Sequence, residues 1–290
     1  MAHKPEFDQA TGVHTTGHEW DGLQELNNPM PKWWLTVWYV TIAWAVVYWI
    51  LLPSWPLLHD YSRGILGYSE RGQVAKELQE KARAQAGVLD RIKSASLAEI
   101  DADPELRQIA IAGGRSAFGN NCIACHGTGA QGGFGYPNLN DDDWLWGDGS
   151  LDAVYRTLQY GIRSGHPEAR TNDMPAFGKT ELLTEAQIND LVAFVRSRSM
   201  KGESADAVKR GEALFAENCV ACHGDDAKGN PEIGAPNLSD QIWLYGSDRK
   251  TIHDTIFYSR GGVMPAWVDR LNDVTLKELT IFVHSLGGGK

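Results

Sequence analysis

Two five-residue strings carry the chemistry of this chain: Cys122-Ile123-Ala124-Cys125-His126 and Cys219-Val220-Ala221-Cys222-His223. Together they use all 4 cysteines of the 290 residues, so no lone thiol is left as a nucleophile. Two thiols at this spacing can reach the two vinyl groups on one edge of a haem and form thioethers. The adjacent histidine then falls beneath the iron as its fifth ligand. The expected cofactors are therefore two covalently bound haem c groups. A sixth ligand must come from elsewhere. Met174 and Met264 are each followed by proline, in loops stiff enough to present a sulfur to the iron. A methionine thioether favours ferrous iron and raises the potential. The axial set is thus His126, Met174, His223 and Met264. Which methionine serves which haem stays open: pairing within a module is simplest, and two abutting modules could exchange loops.

Other uses of the cysteines fit less well. A zinc site with four thiolates would span from Cys125 to Cys219, far beyond the usual gap of about 15–20 residues. A thioredoxin-like pair would need a βαβ context and would leave both following histidines unexplained. An iron with both axial positions filled does not readily bind oxygen or peroxide, so both modules read as electron carriers with no catalytic residue of their own. A dihaem peroxidase would keep one iron open. His166, eight residues before Met174, is the one competing ligand in the first module. His253 and His284 read as surface or packing residues, and His14, His18 and His59 lie outside both modules. Met30 and Met200 read as interface and helix-end residues. Asp141-Asp142-Asp143 reads as a solvated start to a helix, not a metal site.

The elements that must hold these groups occur twice. GRSAFGNNCIACHG (114–127) aligns with GEALFAENCVACHG (211–224) at an offset of 97. Pro137-Asn138-Leu139 matches Pro236-Asn237-Leu238, and Met174-Pro175-Ala176-Phe177 matches Met264-Pro265-Ala266-Trp267. Each copy closes on an amphipathic helical pattern, at 183–197 and 271–285, after a Thr or Asn able to cap it. Strand signals are nearly absent. The expected fold is all-α: one N-terminal transmembrane helix, a helical linker and two tandem class I cytochrome c-like domains. The expected boundaries are a tail at 1–32, the span at 33–52, a linker at 53–104, a first domain at 105–200 and a second at 205–290. Domains this small need a staple such as a covalent cofactor.

Residues 33–52 are uncharged and rich in tryptophan, with Pro29 and Pro31 before and Pro53 and Pro56 after. Twenty helical residues cover about 30 Å, the thickness of a hydrocarbon core. Trp33, Trp34, Trp49 and Trp55 sit near its ends, as interfacial belts do. Flanking bases, Lys4 and Lys32 before against Arg63, Arg71, Lys76 and Lys81 after, would by themselves put the long part in the cytoplasm. Haem attachment overrules them, because bacterial c-type haem is ligated outside the inner membrane. The haem domains are therefore expected in the periplasm and the N-terminus in the cytoplasm. A net charge of −10 excludes a nucleic-acid role, which needs a basic face.

At this point the chain resembles a family: the dihaem subunit, CcoP or FixP, of cbb3-type cytochrome c oxidases. The most specific residues are Thr15-Thr16-Gly17-His18-Glu19-Trp20-Asp21-Gly22 and Glu25-Leu26-Asn27, ahead of the span. The resemblance covers essentially the whole chain. It implies electron transfer from a donor cytochrome c through both haems to a monohaem subunit. That partner feeds a catalytic subunit that reduces oxygen and pumps protons in the respiratory chain. The alternative is a free-standing membrane cytochrome serving a dehydrogenase or reductase.

Overall fold

The computed structural model describes residues 4–288. Residues 1–3 of the expected tail and 289–290 of the expected second domain lie outside the described residues. The chain divides into two compact units, Met1–Ala84 and Gln85–Lys290.

The first unit adds strands to an otherwise helical chain. It opens on a small antiparallel sheet of order β1-β2-β3, with β1 Phe7–Asp8, β2 Val13–Trp20 and β3 Leu23–Leu26. The β2–β3 connection is Asp21-Gly22, both at positive φ (51° and 85°). That dipeptide favours a two-residue hairpin, because its twist matches that of the strands it joins. Across the hairpin the Trp20 indole N–H donates to Glu25 Oε1 at 3.1 Å. Helix α1, Lys32–Leu51, follows and has no buried residue. It is long and apolar enough to cross a membrane. It stops because Leu52 precedes Pro53 and takes an extended conformation, φ −119° and ψ 160°.

Helix α2, Glu70–Ser94, is the solvated helical linker that composition suggested; Ile92, near its end, is buried. It packs there with Ile100 of α3 (Leu97–Ala102) and with Leu106 and Ala110 of α4 (Pro104–Asn121). The first repeat continues as α5 (Ile123–His126), α6 (Leu151–Tyr160) and α7 (Glu185–Ser199). The second runs α8 (Ala205–Asn218), α9 (Val220–His223), α10 (Arg249–Tyr258) and α11 (Asp273–His284). Side-chain caps fix most starts. Asp103 accepts from the N–H groups of Glu105 and Leu106, Thr184 forms a capping box with Gln187, and Asn272 accepts from Thr275.

The helices do not pair by repeat. Helix α11 of the second repeat packs on α4 of the first, while α7 of the first packs on α8 of the second. Two glycines mark the crossings. A Cβ at Gly114 would lie 2.6 Å from the Cβ of Phe282, and one at Gly211 would lie 2.7 Å from the Cβ of Phe194. One lobe therefore combines residues from α4 and α6 with α11, around Phe118, Val154, Leu158, Leu279 and Phe282. The other is built from α7 to α10, around Phe177, Leu191, Phe194, Phe215 and Ile256. Matched backbone bonds lock each exchange: Trp267 N–H to Leu158 O and Phe177 N–H to Ile256 O, both 3.1 Å. The terminal helices are thus exchanged between the repeats, α11 onto α4 and α7 onto α8.

Candidate functional site

Each Cys-x-x-Cys-His string is a single helical turn, α5 or α9, entered from the longer helix before it. In each, the histidine N–H donates to the first cysteine's carbonyl at 2.9 Å. The turn ends at Gly127 or Gly224, both near φ +78° (79° and 77°), a backbone region open to glycine at no steric cost. The chain then folds back so that Pro137 O and Pro236 O each lie 3.1 Å from the Nδ1 of His126 and His223. A carbonyl can only accept, so Nδ1 carries the proton and Nε2 is left as the lone-pair nitrogen. Burial pushes both imidazoles down in pKa, and the bonds to proline oppose that only in part. Both rings are thus neutral and competent as metal ligands.

All four thiols are free. Burial, and then the neighbouring cysteine, pushes Cys122 and Cys219 up to about 11. Redox-active pairs of the thioredoxin kind work through a depressed pKa, so these cysteines are poor candidates for exchange chemistry. Among the described residues no group of three or more His, Cys, Asp and Glu side chains converges on a metal-sized site. The four cysteines divide between the two lobes, which leaves the four-thiolate zinc reading without geometry.

The methionines complete each lobe crosswise. Met264 packs into the core that contains Cys122, Phe118 and Leu158, while Met174 packs into the one that contains Phe215, with Cys219 and Val220 also against it. The Met264 backbone is pinned to the first repeat: its N–H donates to Ile162 O at 2.9 Å, and its carbonyl accepts from Ile162 N–H at 3.0 Å. Gly161, at φ +72°, makes room, since a Cβ there would lie 2.3 Å from Met264 O. Met264 thus lies in the lobe of Cys122, and Met174 in the lobe of Cys219.

Donor chemistry fits haem c in both lobes: paired free thiols one turn apart, a neutral histidine with Nε2 available, and a thioether in the same core. A further feature is the indole N–H of Trp243. It is shielded from solvent and has no partner among the described residues, which suits a propionate at the cofactor's edge. Its counterpart Trp144 donates to Gly288 O at 2.6 Å. Neither tryptophan stands out from composition; the signal was their recurrence at one position of both repeats.

The remaining candidates fall where chemistry leaves them idle. His166 stacks on Tyr160 with ring centroids 4.9 Å apart, and its Nδ1 accepts from Glu168 N–H at 3.0 Å. His253 stacks on Phe257 and meets Glu185 at 2.8 Å. His14 and His18 lie exposed on β2, His59 is exposed in a loop, and Met200 caps the end of α7. The aspartate cluster needs correction: no helix starts there, because α6 begins at Leu151 with Ser150 as its cap. Asp143 is held in an irregular loop, where burial and the carboxylates of Asp240, Asp141 and Asp142 push it up to about 6.

Comparison with known proteins gives a consistent picture. Residues 12–59 match the family model described as the N-terminal domain of cytochrome oxidase-cbb3, FixP. Residues 110–195 and 206–283 each match that of cytochrome c oxidase, cbb3-type, subunit III. The cbb3-type cytochrome c oxidase subunit FixP of Bradyrhizobium sp. (strain ORS 278) is 52% identical, with 100% of both chains covered. That of Bradyrhizobium diazoefficiens is 50% identical at the same coverage. The subunit CcoP of Azospirillum sp. (strain B510) is 50% identical over 98% of both chains.

Proposed function

The chain belongs to the FixP/CcoP family of cbb3-type cytochrome c oxidase subunits, and from that membership we propose how its residues carry electrons. It is an electron-transfer subunit with c-type cytochrome domains, part of a complex with other oxidase subunits. A free-standing carrier would have no use for residues 12–59, which match an oxidase-specific domain.

In our reading Cys122 and Cys125 would hold one haem c, with His126 and Met264 as the ligands offered to its iron. Cys219 and Cys222 hold a second, with His223 and Met174. When bound, each haem supplies an iron that gains and loses one electron. The protein residues do the rest. Pro137 O and Pro236 O orient the imidazoles and keep the coordinating nitrogen deprotonated. The Phe118–Phe282 and Phe194–Phe215 contacts, at 5.4 and 5.0 Å, exclude water behind them. With a histidine and a methionine to offer each iron, the lobes would carry electrons and leave oxygen reduction and proton pumping to a catalytic subunit, reached through a monohaem subunit and fed by a donor cytochrome c.

Helix α1 anchors the chain once in the bacterial inner membrane. Because c-type haem is attached outside the cytoplasm, the haem domains face the periplasm and the N-terminal sheet the cytoplasm. The boundaries follow the repeats, 105–200 and 205–290, although each folded lobe borrows a helix across them. The observation that carries this reading is that both lobes contain the same set: paired free thiols, a neutral histidine with Nε2 available, and a methionine in the same core. A reduced-minus-oxidised spectrum of the detergent-purified chain tests it, followed by acid-acetone extraction. Two haems per chain that resist extraction are expected. A colourless protein, or haem that washes out, would overturn it.

A further inference from the structure

The two helix crossings are alike except at one ionic position. In the crossing of α7 on α8, Asp190 accepts two hydrogen bonds from Arg210, both 2.7 Å. The pair sits one residue before Gly211, and it holds the Asp190 carboxyl below the usual carboxylate range. In the crossing of α11 on α4 the matching acid is Glu278, but the residue matching Arg210 is Gly113. The acid is retained and its cation is gone.

Glu278 fills the place the missing side chain would take. A Cβ at Gly113 would meet its carboxyl atoms at 2.5–2.6 Å. Glu278 is only 8% exposed, and it has no hydrogen-bond or ion-pair partner among the described residues. Charged groups on the elements around it are engaged elsewhere. On α4, Arg107 pairs with Asp101 of α3, and Arg115 lies over the Phe282 ring. Glu105, also on α4, pairs with Arg91. On α3, Glu99 closes the capping box with Ser96. On α11, the Lys277 ammonium is held by the carbonyls of Lys93 and Ala95, each at 2.8 Å, and Asp273 accepts from Tyr155 of α6. Burial, the sole cause, pushes Glu278 up to about 7.

This carboxylate lies close to one cofactor site. One turn along α11 is Phe282, whose ring is 5.4 Å from that of Phe118, and Phe118 is 6.5 Å from the His126 ring. Two aromatic rings thus link the helix face that carries the acid to His126, and the Arg115 guanidinium lies 5.9 Å over the first of them. Charges interact strongly across such a poorly screened interior.

We propose that Glu278 is a redox-linked proton site for the haem held by Cys122, Cys125 and His126. This rests on that haem reading. On one-electron reduction of that haem the Glu278 carboxylate would take one proton from water, and on its reoxidation the carboxylic acid would release that proton. The second lobe has no such site, because Arg210 already neutralises Asp190.

The test is a redox titration of both haems across the neutral pH range in the detergent-solubilised holo-chain, in wild type, Glu278→Gln and Gly113→Arg. In wild type one of the two midpoint potentials falls as pH rises through about 7, and the other stays level. Both variants flatten the sloping one: the first removes the titrating group, and the second restores the cation found in the other lobe. Redox-difference infrared spectroscopy on wild type needs no variant to fold. A protonated-carboxyl band present in the reduced form and lost on oxidation supports the proposal, and its absence overturns it. Equal slopes in wild type and Glu278→Gln overturn it too. A colourless chain would overturn both this and the haem reading, whereas a coloured one with unchanged slopes overturns this alone.

Discussion

Replacing Phe282 by alanine should loosen α4, a helix 164 positions earlier at Phe118, and leave α8 intact. Phe282 is 7% exposed. Its Cβ sits in the gap left by Gly114, and its ring packs on Phe118 at 5.4 Å. Truncating a buried phenylalanine costs about 3–5 kcal/mol, because the transfer free energy is lost and a cavity remains. The penalty falls on the lobe that joins α4 to α11. Amides that exchange through opening of that lobe should speed up by roughly a hundredfold to a few thousandfold, at about 1.4 kcal/mol per factor of ten. The assay is hydrogen exchange of the holo-protein, read by mass spectrometry on peptides from α4, α6, α8 and α10. Faster exchange in α4 and α6, with α8 and α10 unchanged, is the expected pattern. Faster exchange in α8 instead would refute the helix exchange, since it would return α11 to its own repeat. Phe194→Ala is the mirror experiment and should loosen α8.

The methionines give a spectroscopic counterpart. In a chain reduced to its second haem by Cys122→Ala and Cys125→Ala, Met174→Ala should abolish the absorption signature of Met-ligated ferric iron, and Met264→Ala should leave it. The reverse result would reinstate pairing within each repeat. Acid stability should depend on Glu203, whose carboxylate Arg196 contacts at 2.6 Å and Arg249 also holds. Burial acts to raise its pKa, but the two arginines outweigh that and hold it below the ordinary glutamate value. A depressed carboxyl stabilises the fold above the unfolded pKa and loses that contribution as pH falls through the folded one. Glu203→Gln should therefore cost about 1–3 kcal/mol near neutrality. Its melting curve should converge with that of wild type below about pH 4, and a constant gap across pH would contradict this account.

Much of this protein is written locally in its sequence. Cys-x-x-Cys-His, Thr184 and Asn272 before amphipathic runs, and twenty uncharged residues between prolines act through neighbours a few positions away, so pattern alone locates the two site turns, the caps and the span. The N-terminal hairpin was missed: Asp21-Gly22 between Trp20 and Leu23 marks its turn, but the alternation along β2 is too weak to read as a strand. What sequence could not decide is which terminal helix closes which lobe. Gly114 and Gly211 offer the same notch, and Phe194 and Phe282 the same knob, so either pairing satisfies the local chemistry. Tertiary structure chooses through the linker. Only residues 200–204 separate α7 from α8, short enough for the two to close as a helical hairpin with little loop entropy lost. Once α7 is committed to α8, the face of α4 is left for α11, and the Met264 loop is carried with it to the core around Cys122. The same exchange sets Glu278 against Gly113, a juxtaposition of two residues 165 positions apart that no local pattern encodes.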